Sequence, residues 1–382
     1  MNESFLRCTP SVFVINNEYE VLVWARTNGI FSIKIGEQIF YEDNSGVFSS
    51  EKSYARIRVP QEILNEQKSY EVVFRETINR KAYYSELLPA QSFVFSFKPL
   101  LKTENIHIYH IADVHYHFDV ACKTASYFGD ATDLFIVNGD IGEVETEENY
   151  FEIAKFVGDI SKGEIPVVFT RGNHDTRGRL AEKYTDIFPC NGKETFYTFE
   201  LGCLTGIVLD CGEDKRDDHL DYNSMEAFNA KSPEVYGGVN VFSAYRQREL
   251  SFLKKVGRFD TQKIPFAISH ICPVMTTYTK GGVFDIEREC YGNWNIELER
   301  MGVRFMLCGH AHKVHIVQSD SMLNTLSHNY PVIIGSATFG KEDIWGAALI
   351  VNQNCIQVLF TDKNKEIKEK FVLTLDGVTN AV

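Results

Sequence analysis

Two hydrophobic rhythms divide the chain. Residues 1–98 are a succession of short β-prone runs, at 19–26, 30–35, 54–59, 70–75, 82–87 and 92–97. They recur roughly every 10–15 residues with turn residues between them, which predicts a β-sandwich of about seven strands. Thr27-Asn28-Gly29, between the first two runs, is a hairpin signal. Trp24 and Tyr70 are the expected core anchors. No catalytic constellation occurs in this part, so it reads as a structural or positioning module.

The rhythm changes after a linker-like stretch at 99–104. Runs at 106–112, 134–137, 166–170, 204–209, 265–269 and 303–307 are strand-like and apolar, as in parallel sheets covered on both faces. Helical patterns come between them. One spans 147–160, with Thr146 as its N-cap and two glutamates in the first turn; another spans 245–256. Strands alternating with helices predict an α/β sheet. From Pro331 onward the chain turns β again, at 347–351, 356–360 and 370–373. The expected organisation is an all-β sandwich domain over 1–100 and a mixed α/β domain over 101–382.

Composition narrows the partners. The formal net charge is −13, which argues against bulk electrostatic binding to nucleic acid or an anionic membrane. There is no long unbroken apolar run to span a bilayer, and Met1–Pro10 lacks a basic segment followed by an apolar one. The nine cysteines form no Cys-x-x-Cys pair, and several sit in apolar runs. Reduced thiols in a cytoplasmic protein are the expectation.

The polar residues that end the apolar runs carry the chemistry. The first run closes on Asp113-Val-His115, the second on Asn138-Gly139-Asp140, and the third on Gly172-Asn173-His174-Asp175. Two later runs close on His270 and on Gly309-His310-Ala311-His312. In α/β proteins ligands bind at the carboxyl edge of the sheet, so five strands are expected to deliver these groups to one edge. Asp113 and His115, two apart in extended chain, would face the same way. Carboxylate, amide and imidazole without thiolate suit manganese, iron or zinc. The seven groups Asp113, His115, Asp140, Asn173, His270, His310 and His312 are too many for one ion. They suit two ions about 3.5–4 Å apart that share a carboxylate, for which Asp140 is the choice.

In order and approximate spacing these motifs resemble the calcineurin-like metallophosphoesterase superfamily, over about residues 105–340. The resemblance implies a four-layer αββα sandwich, with the strands after Pro331 in its second sheet. It also implies a dinuclear centre of divalent or trivalent ions hydrolysing a phosphomonoester or phosphodiester. Asp113, His115 and His312 would hold one ion, and Asn173, His270 and His310 the other. Asp140 and a hydroxide would bridge them, and the hydroxide would attack phosphorus. His174 would stabilise the transition state or protonate the leaving oxygen, oriented by Asp175 or Asp113. The purple acid phosphatases share the layout with an N-terminal β-sandwich. They have glycine where this chain has His115, and a tyrosine where it has Glu143, so no tyrosinate-to-iron colour is expected. The alternative within the same fold is an inactive scaffold or binding protein.

Several features stand outside this set. His107, His110 and His315 read as packed or exposed histidines, and Asp210 as outside the ligand set although it ends a run at the same edge. Two readings stand for Arg177: a bidentate phosphate contact, or a solvated or salt-bridged arginine. The polar stretch 212–245 reads equally as a lid or as a surface excursion. The stretch 276–294, with Gly281-Gly282, Tyr291 and Trp294, is expected to contact the substrate.

Overall fold

The computed structural model describes residues 4–213, 217, 240–275, 288–322 and 324–375. Stretch 276–287 and most of 212–245, both read above as substrate-side loops, lie outside the described residues. No helix among the described residues is long and apolar enough to cross a membrane.

Two sheets face each other and helices cover their outer sides. At the centre of the larger, ten-stranded sheet, Ile106–Ile111, Leu134–Asn138 and Val167–Thr170 run parallel. These strands are buried on both faces, which is why their sequence does not alternate. Ile108, Leu134, Ile136 and Val168 point between the sheets. Tyr109, Ile111, Phe135, Val137 and Phe169 point outward, onto helices Phe118–Ala125 and Glu147–Ser161. In the six-stranded sheet, Leu204–Leu209, Ile264–Ser269, Met306–Cys308 and Val332–Ile334 run parallel. Its outer face packs on helices Phe242–Leu253 and Arg288–Met301. The expected four-layer αββα sandwich is therefore present, and Thr146 caps its helix with a reciprocal Thr146–Asn149 pairing.

Three expectations are corrected. The late strands Ile344–Val351, Cys355–Thr361 and Ile367–Thr374 belong to the larger sheet, where the first pairs antiparallel with Ile106–Ile111. They cover what would otherwise be an open edge of that sheet; from this late stretch Val332–Ile334 alone among these runs joins the second sheet. The ligand-bearing strands consequently come from two facing sheets, not one. Thirdly, Thr27-Asn28-Gly29 is a crossing between sheets, not a hairpin: Glu18–Trp24 pairs in the larger sheet, whereas Gly29–Ile35 pairs with Ser69–Arg80 and Gln38–Tyr41. Glycine is needed there because a Cβ at Gly29 would lie 2.4 Å from the Arg75 carbonyl oxygen.

The N-terminal β region shares its structure with the rest. Ser11–Ile15, Glu18–Trp24 and Tyr54–Pro60 continue the larger sheet, through parallel pairing of Phe13 with Val167. A five-stranded sheet packs Phe31, Ile33, Tyr70, Val72 and Phe74 into the same core as Val21, Val23, Ile57 and Val59. Both expected anchors reach across. Trp24 packs edge-on against Phe151, ring centroids 5.6 Å apart, and the Tyr70 hydroxyl donates to the Gly163 carbonyl at 2.8 Å. Burying such a ring contributes about 1.5–3 kcal/mol.

Candidate metal centre

All seven expected ligand residues lie in loops that leave the facing sheets at one end. Two groups form. Asp113, His115, Asp140 and His312 bring potential ligand atoms within 4.8 Å of one another, and so do Asp140, His270 and His310. Asp140 belongs to both. Asn173 joins the second group, its Oδ1 2.9 Å from Nδ1 of His310.

These side chains converge because their backbones leave regular geometry. Asp113, His115, Asp140, His310 and His312 have φ of 54°, 45°, 53°, 68° and 51°. Left-handed backbone is disfavoured for residues with a Cβ and gathers at sites that exploit it. Asp113 and His115 thus meet through tight left-handed turns, not through the strand alternation expected of them. Two glycines let the turns touch. A Cβ at Gly139 would lie 2.6 Å from the Gly172 nitrogen, and one at Gly172 would lie 2.3 Å from the Asp140 nitrogen. Ser336 and Thr338 donate to the Ala112 and Asp113 carbonyls and hold the first turn from the other side.

The electrostatics suit an added cation. Asp113 and Asp140 are fully buried, and neither has a lysine or arginine partner among the described residues. Burial raises the Asp113 pKa, and the Asp140 charge raises it further against the pull of His270. Burial pushes the His115 pKa down to about 4, which leaves a neutral imidazole with a free lone pair. Nε2 of His115 faces Nε2 of His312 at 3.2 Å. His270 is oriented by its Nδ1, 2.6 Å from the Asn138 carbonyl oxygen. A neutral ring that donates there turns an unprotonated Nε2 inward. That Nε2 is buried without a hydrogen-bond partner, yet lies 3.1 Å from Oδ2 of Asp140. Acceptors facing acceptors make sense around a positive ion, and the oxygen and imidazole donors fit a first-row divalent metal.

The other expected residues are distributed around this cluster. His174 donates its backbone N–H to Oδ1 of Asp140 at 2.8 Å, and its ring Nε2 stands 4.0 Å from Oδ2. Its Nδ1 meets Glu143 Oε1 at 2.9 Å. Glu143, rather than Asp175 or Asp113, therefore contacts the ring. Asp175 is fully buried and accepts the backbone N–H groups of Asp140, Ile141, Gly142 and Gly172 at 2.7–3.3 Å. It ties the Asp140 turn to the Asn173 turn. With desolvation dominant and Asp140 adding to it, its pKa rises to about 7. Arg177 is salt-bridged: Nε and Nη2 donate to Glu213 at 2.9 and 3.0 Å, and Nη1 lies 3.1 Å from Nε2 of His174.

Glu213 and the contact role of Glu143 escape sequence reading. Glu143 was visible only as the residue three places after Asp140; Glu213 follows an apolar run without further signal. Asp210 lies outside the ligand cluster, consumed by Arg171 at 2.7 Å and by Thr195 and Tyr245. Tyr291 and Trp294, expected in a substrate loop, are fully buried on helix Arg288–Met301 in the core behind the second sheet. Of the spare histidines, His110 is buried against Asn138 and His107 stacks on Phe128.

The fold and this edge define a class. Residues 106–314 match the calcineurin-like phosphoesterase family, more than half of the chain, and the chain belongs to that family. No curated protein matches it by sequence. Among solved structures it is similar to a purple acid phosphatase, PPD1, isolated from yellow lupin (Lupinus luteus) seeds. That match has a TM-score of 0.61 at 10% identity and covers 96% of this chain and 74% of that one. It is also similar to PhoD, with a TM-score of 0.56 at 10% identity over 98% of this chain and 90% of that one. At such identity the likeness is one of fold.

Proposed function

We propose that this protein is a dinuclear metal-dependent hydrolase of phosphomonoesters or phosphodiesters of small molecules. The observation that carries the reading is the pair of ligand groups sharing the buried, uncompensated carboxylate of Asp140. Asp113, His115 and His312 would hold one ion, Asn173, His270 and His310 the other, with Asp140 between. Manganese, iron and zinc all suit this donor set. When bound, the ions supply Lewis acidity and acidify a water towards neutral pH.

The chain's own residues then have separable tasks. Asp140 sets the spacing of the two ligand groups. Asn138 holds His270 so that Nε2 points inward. His174, fixed by Glu143 on one ring nitrogen, presents the other to the reacting phosphate, where it stabilises charge or protonates the departing oxygen. Hydrolysis breaks the phosphorus–oxygen bond to the leaving group, water supplies the new oxygen, and the leaving oxygen departs with a proton. Asp175 positions two turns and touches no ring. A reducing, cytoplasmic setting is part of the proposal, supported by nine unpaired cysteines.

The test is a manganese-loaded screen of p-nitrophenyl phosphate, bis(p-nitrophenyl) phosphate and nucleotides, with elemental analysis and an Asp140→Asn control. Two metals per chain and turnover lost in the control are expected. Fewer than about one metal per chain, with no ester turned over, would instead indicate the inactive scaffold.

A further inference from the structure

Beside the ligand groups sits an arginine whose orientation is fixed on two of its three nitrogens. Glu213 takes Nε and Nη2 of Arg177 in a fork-to-fork pair at 2.9 and 3.0 Å. That carboxylate is itself immobile: its side chain is only 2% exposed. The buried Arg246 donates to the Cys211 and Glu213 carbonyls at 3.0 and 3.4 Å, anchoring its backbone. A bidentate pair fixes the guanidinium plane as well as its position. The remaining corner, Nη1, is thereby set against the His174 ring, 3.1 Å from Nε2 and 3.3 Å from Nδ1. The Arg177 side chain remains 23% exposed, so this corner of the site is reachable from solvent.

We propose that Arg177 is a specificity-determining residue that favours phosphomonoesters over diesters, and that Glu213 is its positioning residue. The inference rests on the phosphoesterase reading above and adds the substrate class. A monoester carries one more unesterified oxygen than a diester, and close to one more negative charge at neutral pH. A fixed pair of N–H donors beside His174 meets an acceptor in the first case and an ester substituent in the second. The donors are rigid before the ligand arrives, so little ordering is required of them on binding.

Kinetics on the full, manganese-loaded chain test this, using p-nitrophenyl phosphate against bis(p-nitrophenyl) phosphate, with inorganic phosphate affinity measured by calorimetry. In Arg177→Ala the monoester-to-diester ratio of kcat/KM should fall about tenfold or more, and phosphate should bind about tenfold more weakly. Glu213→Gln should move both readouts the same way by less, with two metals retained. Arg177→Lys keeps the charge but loses the fork, and is expected to fall between; it also serves if the alanine variant does not fold. An unchanged ratio, or equal losses on both esters, overturns the proposal, as does unaltered phosphate affinity. If the wild type binds phosphate but turns over neither ester, the hydrolytic reading fails, while the phosphate affinities still decide the role of Arg177. A wild type that binds no phosphate overturns it too.

Discussion

Four carboxylates are buried along the facing edges of the two sheets, and the protein compensates them in two ways. Asp210 and Glu213 each receive a guanidinium, from Arg171 at 2.7 Å and Arg177 at 2.9 Å. Both arginines belong to the loop that carries Asn173 and His174, and both carboxylates to the loop after Leu204–Leu209. The two pairs strap one sheet to the other on either side of Asn173-His174. Asp113 and Asp140 are just as buried and receive only histidines. Removing a carboxylate from water costs several kcal/mol unless something positive stands beside it. Where an internal cation is provided, the carboxylate is architecture. Where lone-pair nitrogens are provided, the site is built for a cation from outside.

The sharpest break of this comparison exchanges one carboxylate of each kind for its amide. Asp210→Asn leaves Arg171 buried without its counter-charge and should lower unfolding stability by about 3–5 kcal/mol, read from urea titration. Asp140→Asn in metal-free protein should lower it little or not at all, because it relieves repulsion with Asp113 and can still accept the His174 N–H. Its loss belongs to metal content, measured by elemental analysis. Equal destabilisation by the two variants would show that the distinction between strap and metal centre is wrong.

A smaller effect separates ligands from the residue that orients His174. Glu143 is half exposed and meets a ring nitrogen, not a ligand group. Glu143→Gln should lower kcat by about 10–100-fold, leave KM within about twofold and leave both metals in place. A fall in metal stoichiometry would move Glu143 into the ligand set.

What could be read in advance follows from how local each signal is. Strand Leu134–Asn138 and the cap at Thr146 are written in a few consecutive residues, and the motif residues Asp113, Asn173, His270 and His312 end runs that show in the sequence. Pairing partners are not written that way. Nothing local tells Ile344–Val351 that its neighbour is Ile106–Ile111 more than 200 residues earlier, or tells Ser11–Ile15 that it lies beside Val167–Thr170. The Asn-Gly pair at 28–29 gave a real turn signal, but burial of Phe31 and Ile33 in the other sheet overrode the hairpin. Glu213 was illegible for the same reason: its meaning lies in Arg177, 36 residues away on another strand.

Glu249 shows a third way to carry a carboxylate, and the smallest expected effect. Its Oε1 accepts the Asp210 backbone N–H at 3.0 Å, while Oε2 is buried with no partner. Desolvation first, and the Asp210 charge second, raise its pKa well above the ordinary carboxylate range, so the folded protein carries it as the neutral acid. The unfolded chain ionises it at the ordinary value, about 4.3. As pH rises above that value the unfolded state loses the proton and the folded state does not, so stability drains away towards neutral pH. Glu249→Gln keeps the acceptor and removes the titration. The variant should exceed the wild type by about 1–2 kcal/mol near pH 7, and the gap should close below about pH 4. Denaturant titrations of both proteins across that range decide it. A gap that instead widens on acidification would mean that Glu249 is held as the anion, another compensated carboxylate of the strap.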